Sequence, residues 1–139
     1  MPLSSKQNEQ IKSIILDDTN CYKIKRIYNK DKELSVVQVL DIRGRIYKCL
    51  FYSEGKTLSN LSVYNPDTGK EIRNVTYRHD GMTISSIREY YTKTHKISSV
   101  TFFKEDGCSP SSVVKYNELG DESHFILYCD DGEVIKQSF

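Results

Sequence analysis

The sequence predicts a mainly β protein. Its strands are expected to form an up-and-down antiparallel meander of tandem two-stranded repeats, as an open twisted sheet or a roll, with a short N-terminal helix. Two observations predict this fold: a phrase of alternating apolar and polar residues returns about every 26 residues, and acidic-glycine pairs recur in step with it. Such a period indicates small supersecondary units that bury their apolar sides only against their neighbours.

The repeated phrase and its turns divide the chain into units of two strands and two tight turns. The copies of the phrase occupy residues 61–65, 87–91 and 113–117. The acidic-glycine pairs, which favour tight turns, are Glu54-Gly55, Asp80-Gly81, Asp106-Gly107 and Asp131-Gly132. The most regular unit, residues 61–87, also contains a loop in which Pro66 restricts φ and Gly69 permits a positive φ.

The chain is expected to be a single domain over residues 1–139, with a helix and a turn in residues 1–20 and the repeats in residues 21–139. A helix over residues 6–16 can be capped by a preceding Ser, because a Ser hydroxyl accepts a hydrogen bond from a free backbone N–H. One face of this helix would carry three apolar residues: Ile11, Ile14 and Ile15.

Alternation of apolar and polar side chains predicts the first strands of the repeat region. The segments concerned are residues 22–27, 33–40, 45–52 and 57–65. Short links join neighbouring antiparallel strands, so we expect eight to ten strands in chain order. Some apolar pairs lie three residues apart, which does not fit alternation and predicts a bulge or a loop residue that tucks back. These pairs are Ile46/Cys49, Ile72/Val75 and Ile97/Val100.

The most regular units resemble a known repeat family. Residues 64–70 read Y-N-P-D-T-G-K, and residues 80–90 read D-G-M-T-I-S-S-I-R-E-Y. They are similar to the phytoplasma repeat family of unknown function, whose units read roughly Y-[ND]-P-x-T-G-K and D-G-K-T-I-x-x-I-x-E-Y. The similarity is clearest over residues 58–107, and Met82 stands where the family prefers Lys. The resemblance implies a β-repeat scaffold and brings no activity, cofactor or catalytic residues.

Composition and spacing disfavour catalysis and membrane insertion. Four widely spaced Cys without a C-x-x-C pair indicate reduced thiols, so we expect a cytoplasmic protein. No apolar run is long enough to span a membrane. The three His residues share no metal-ligand spacing, and the glycines stand singly in turns rather than in a phosphate-binding loop. We therefore expect no enzyme, no metal and no cofactor.

A row of tyrosines is the main candidate for a functional surface. Tyr64, Tyr90 and Tyr116 occupy one repeat position, and Arg88 lies beside them. Tyr and Arg concentrate binding energy at interfaces, so we predict that these four residues bind another protein. The expected molecule is a small inhibitor, immunity protein or effector, present as a monomer or an edge-paired homodimer. Cross-strand tyrosines also stabilise sheets without any partner, and this structural interpretation stays open.

The alternative is single-stranded nucleic acid, bound by a basic and aromatic N-terminal half. Single-strand binders combine cationic grooves with aromatic side chains on which bases stack. The basic residues concerned are Lys23, Lys25, Arg26, Arg43, Arg45 and Lys48. The net charge of +1 gives this alternative little support, because nucleic-acid binders usually carry a basic excess.

Overall fold

The computed structural model describes residues 20–53 and 57–128, together with the backbone of residues 134–138. These residues form one sheet of ten strands, in which each strand lies beside its neighbours in the chain. The strands are β1 Lys23–Tyr28, β2 Leu34–Leu40, β3 Ile46–Ser53, β4 Thr57–Tyr64, β5 Glu71–Tyr77, β6 Ile84–Tyr90, β7 Ile97–Phe103, β8 Pro110–Tyr116, β9 Glu122–Tyr128 and β10 Val134–Ser138.

Every neighbouring pair of strands is antiparallel, so the predicted mainly β meander is confirmed. Within the described residues no ladder joins β1 to β10, which corresponds to the open form of the predicted sheet. The predicted N-terminal helix falls in residues 1–19, outside the described part of the chain.

The structural repeat is one strand and one turn, which is half of the predicted unit. Strands β5, β6, β7 and β8 begin at residues 71, 84, 97 and 110, so successive strands start 13 residues apart. Two such steps make the 26-residue hairpin seen in the sequence. Consecutive turns therefore lie at opposite ends of the sheet.

A bulge interrupts the start of each strand from β2 to β9. At these places two residues of one strand lie opposite a single residue of the preceding strand. The extra residues are Ser35, Tyr47, Ser59, Ile72, Ser85, Ser98, Ser111 and Ser123. The bulges predicted from apolar pairs three residues apart are thus confirmed.

Serine suits these positions because its hydroxyl can replace a ladder hydrogen bond that the bulge removes. Ser59 donates to the carbonyl oxygen of Phe51 at 3.0 Å, and Ser111 donates to that of Phe102 at 3.1 Å. Each acceptor belongs to the residue that faces the strand just beyond the bulge. The side chain therefore helps to satisfy the backbone where regular pairing fails.

The turns owe their shape to Asp and Asn side chains. Oδ1 of Asp106 accepts hydrogen bonds from the backbone N–H groups of Cys108 and Ser109, both at 2.8 Å. Asp80 accepts in the same way from Met82 at 2.9 Å and Thr83 at 2.8 Å. A short polar side chain thus imitates a backbone acceptor and closes the turn.

Alternation places the side chains of each strand on two faces. The apolar face is defined by residues paired across four strands: Val37, Leu50, Leu61 and Val75. The polar face is defined on β4 and β5 by Asn60, Ser62, Asn74 and Thr76. The main apolar cluster lies in β2–β4 and contains Leu34, Val37, Val39, Tyr47, Leu50, Tyr52 and Leu58.

Candidate binding face

The structure brings the predicted tyrosines into one row. Tyr64, Tyr90 and Tyr116 are the last residues of β4, β6 and β8, and each lies opposite the bulged start of the next strand. Ser62 and Arg88 both lie opposite Asn74 and therefore share its polar face. Tyr64 and Tyr90 lie two residues farther along the same strands, so alternation places the row on that face. All three tyrosines are half-buried, so each keeps part of its ring accessible.

A network of polar side chains lies beside this tyrosine row, within the sheet. Asn60 Nδ2 donates to Asn74 Oδ1 at 3.1 Å, and Asn74 Nδ2 donates to Ser62 Oγ at 2.9 Å. Ser62 Oγ in turn donates to Glu71 Oε2 at 3.1 Å. Ser62 is only 2% exposed and Asn74 only 9%, so hydrogen bonding is needed to offset their burial. The network ends at the Glu71 carboxylate, which it helps to orient.

Glu71 acts electrostatically on two of the predicted tyrosines. Burial raises the pKa of the Tyr90 phenol, the Glu71 carboxylate raises it further, and the Arg88 guanidinium opposes this rise. Burial also raises the pKa of Tyr64, with a smaller contribution from Glu71. Both phenols therefore stay protonated at neutral pH and can donate hydrogen bonds to a partner.

Cys49 lies next to this group and offers no reactive thiol. Its residue is 6% exposed, and burial raises the pKa of its thiol. A protonated, buried thiol is a poor nucleophile. Cys49 therefore contributes packing beside Tyr64.

The structure gathers only part of the predicted set around Glu71. Tyr64, Tyr90 and Arg88 meet there through the contacts described above. Tyr116 occupies the same repeat position two strands farther along, and its carbonyl oxygen accepts a hydrogen bond from the Tyr91 hydroxyl at 2.5 Å. Tyr116 therefore extends the row without contributing to the group at Glu71.

Sequence reasoning missed Glu71, Ser62 and Asn74. Each is an ordinary polar strand residue, and only the register shows that Tyr64 lies opposite Glu71 and Ser62 opposite Asn74. Recognition of a 13-residue period in the sequence, with one bulge in each strand, would have given this register, because each strand could then be aligned with the next.

A second aromatic row occupies the opposite face and the opposite end of the strands. Its members are Tyr28, Tyr52, Tyr77 and Phe103. Tyr52 is buried in the main apolar cluster and Tyr77 packs against it. Burial, followed by the influence of Tyr77, raises the pKa of Tyr52 to about 12. Here the repeated aromatic position serves packing.

The basic residues of the nucleic-acid alternative do not share one surface. Lys23 and Lys25 lie on the face that carries Gln38 and Leu40, whereas Arg26 and Lys48 lie on the face that carries Val37 and Val39. Arg43 is an exposed turn residue.

The last member of that basic set, Arg45, is paired with two carboxylates. It lies 2.9 Å from Asp41 and 2.5 Å from Asp67. Its charge is thus largely compensated within the protein. This pairing and the division over two faces weaken the predicted cationic surface.

Part of the sequence matches a known family. Residues 51–101 match a family described as "Protein of unknown function (DUF2963)". No curated protein matches the sequence. Among the described residues, no helix is long and apolar enough to cross a membrane, and no group of His, Cys, Asp and Glu could hold a metal ion.

Solved structures contain a similar sheet within longer chains. A mutant of S. aureus TarM, in complex with Fondaparinux, alpha-GlcNAc-glycerol and UDP, aligns with a TM-score of 0.59 and 13% identity, covering 99% of this chain and 25% of TarM. A chain of the GtfA/B complex bound to UDP and GlcNAc aligns with a TM-score of 0.54 and 12% identity, covering 99% of this chain and 38% of that chain. At such identities the likeness concerns the fold alone.

Proposed function

We propose that this protein is a non-enzymatic β-repeat module that binds another protein through its polar face. The observation that carries the proposal is the group at Glu71. Two half-buried tyrosines and the exposed Arg88 surround a carboxylate that is held by a buried hydrogen-bond network. Tyr and Arg on a rigid support lose little entropy on binding, which is why they dominate binding energy at interfaces.

The fold is compatible with this role. The sheet provides a continuous, preorganised surface, and its counterparts are parts of longer chains, one of them in the complex named GtfA/B. We propose a small inhibitor, immunity protein or effector that blocks its target by surface complementarity, as a monomer or an edge-paired homodimer. Its units are proposed to belong to the phytoplasma repeat type. The free thiols of Cys21, Cys49 and Cys108 suit a cytoplasmic location.

The test is partner capture by matched variants. We expect the wild type to retain one stoichiometric protein from its native host, and the double variant Tyr64→Ala/Tyr90→Ala to lose it. Truncating one interface hot spot costs about 2 kcal/mol or more, which is a factor of about 30, so the affinity of the double variant measured by calorimetry should fall by more than about 30-fold. Tyr22→Ala is the control, because Tyr22 is 69% exposed and lies outside the tyrosine row.

Retention of the partner by a folded double variant would contradict the proposal, as would the absence of any stoichiometric partner. Nucleic-acid binding through the basic half is the alternative. It predicts a gel shift with single-stranded DNA at low salt that weakens steeply as salt is added.

A further inference from the structure

A groove of about 520 Å³ opens at the end of the strands opposite the tyrosine row, beside the β5–β6 turn. Its lining combines the hydroxyl groups of Ser59, Tyr77 and Ser85 with Arg78 and His79. Leu58 is the one aliphatic residue among its described lining residues, and none of them is a carboxylate. Its volume lies within the range of sites for small ligands, roughly 300–1,000 Å³.

The repeat explains how the groove arises. Ser59 and Ser85 are the bulge residues of β4 and β6, and Tyr77 ends the strand between them. Tyr77 lies on the apolar face by alternation from Val75, and the two bulges beside it increase the local twist.

The next unit provides a comparison for this groove. Ser85 and Arg78 correspond there to Ser111 and Lys104, which keep a hydroxyl and a positive charge. Tyr77 and His79 correspond to Phe103 and Glu105, so the equivalent place has one hydroxyl fewer and gains a carboxylate. The combination of a tyrosine hydroxyl with Arg78 and His79, and without a carboxylate at the position of Glu105, is therefore a property of this unit and not of the fold in general.

Arg78 provides the strongest indication of a ligand. Its Nη2 donates to the carbonyl oxygen of Phe103 at 2.8 Å, which anchors the guanidinium against the next hairpin. Its Nε is buried and has no hydrogen-bond partner among the described residues. A buried donor without a partner costs free energy, and the cost is larger when the group is charged. A ligand acceptor that reaches Nε after a rotation of the side chain would remove this cost.

We propose that this groove binds a small ligand with a phosphate monoester, whose oxygens accept hydrogen bonds from Arg78 and His79. The planar guanidinium matches the geometry of a phosphate and forms charge-assisted hydrogen bonds with it. The groove is larger than inorganic phosphate, and its remaining hydroxyls face the rest of the ligand. A hydroxylated body such as a sugar fits that lining.

The side-chain Nε–H signal of Arg78 in a nitrogen–proton correlation spectrum reports on this site directly. Titration with ribose 5-phosphate should shift that signal at low millimolar concentration, and inorganic phosphate should shift it at higher concentration. Ribose, acetate and chloride at matched ionic strength should shift it much less. The Nε–H of Arg43, an exposed turn residue at the other end of the sheet, is the internal control.

Variants separate the site from general charge effects. Arg78→Gln should weaken ribose 5-phosphate binding at least about tenfold, because a charge-assisted hydrogen bond is lost, while Arg43→Gln should leave it unchanged. Arg78→Gln also removes the bond to Phe103, so Ser85→Ala and His79→Gln test the groove if that variant fails to fold. Both should weaken binding without unfolding the sheet.

Three results would each overturn the proposal: an Arg78 signal that no phosphate compound moves, equal shifts with chloride, or affinity unchanged in all groove variants. The groove and the tyrosine row lie on opposite faces. Loss of phosphate binding in the groove variants therefore leaves the test of the protein partner unaffected.

Discussion

At the scale of single residues, the face of the sheet decides what an aromatic side chain does. Tyr52 and Tyr64 both lie near the end of a strand opposite a bulge, yet Tyr52 is buried in the apolar cluster and Tyr64 adjoins a polar network. The sequence identifies such residues by their spacing. It does not identify Glu71, because the interaction of Glu71 with Tyr64 and Tyr90 depends on cross-strand register.

Tyr52→Phe should be neutral or slightly stabilising at pH 7. The Tyr52 hydroxyl is buried and has no hydrogen-bond partner among the described residues. Removing such a group avoids a desolvation cost of about 1–3 kcal/mol and deletes no hydrogen bond. Chemical denaturation at pH 7 should give a free energy of unfolding equal to or above that of the wild type.

Alkaline pH should enlarge this difference. The pKa of Tyr52 is raised to about 12 in the folded state, compared with a value near 10 in the unfolded chain. The stability gained from keeping this buried phenol neutral is therefore complete below about pH 10 and is lost as pH rises toward about 12. Tyr52→Phe removes that loss. The control is Tyr28→Phe, since Tyr28 belongs to the same row but is 41% exposed. A wild type that resists alkaline unfolding as well as Tyr52→Phe would contradict the prediction.

At the scale of elements, the unit is one strand, one bulge and one side-chain-capped turn, and consecutive hairpins fit closely together. A Cβ on Gly107 would lie 2.7 Å from Thr83 Cγ2 of the previous hairpin, and Gly107 has φ of +72°. Glycine is needed there for both conformation and space. The sequence shows the Asp-Gly turn but not this contact, because the contact joins residues of different units.

Gly107→Ala should therefore destabilise the protein more than Gly44→Ala. Gly44 also has a positive φ, of +77°, but nothing lies within 4 Å of the place that an added Cβ would occupy. We expect a loss of about 1 kcal/mol for Gly44→Ala from backbone conformation, and about 2–3 kcal/mol for Gly107→Ala, because overpacking is added. Denaturant unfolding of both variants measures the difference.

Thr83→Ser provides the decisive comparison for that prediction. It removes Cγ2 and keeps the hydroxyl that donates to Asp80. In a double-mutant cycle, Thr83→Ser should recover part of the loss caused by Gly107→Ala. Equal losses of stability in the two glycine variants, or a cycle without coupling, would show that a Cβ at position 107 does not clash with Thr83 of the previous hairpin.

At the scale of the whole molecule, burial is uneven along the sheet. Val37 and Leu50 are fully buried, whereas Val113 and Ile126 on the same face are half-buried. Each strand packs mainly against its neighbours, so local stability should follow local burial, as in other repeat proteins.

Native-state hydrogen exchange should reveal this gradient. Paired amides in β2 and β3 should be protected at least roughly tenfold more than those in β8 and β9, because opening the latter exposes less apolar surface. A cooperative sheet that opens only as a whole would instead give uniform protection from β2 to β9. That result would contradict the uneven distribution of stability inferred from burial.

The sequence alone determined the strand order, the turns and the bulges, because each follows from interactions between residues close in the chain. An Asp-Gly pair bends the backbone, and an apolar pair three residues apart breaks the alternation. Tertiary structure decided the assignment of the aromatic rows to opposite faces, the network that ends at Glu71 and the groove at Arg78. These features depend on register and on contacts between hairpins, and a one-residue shift in register would move each side chain to the other face.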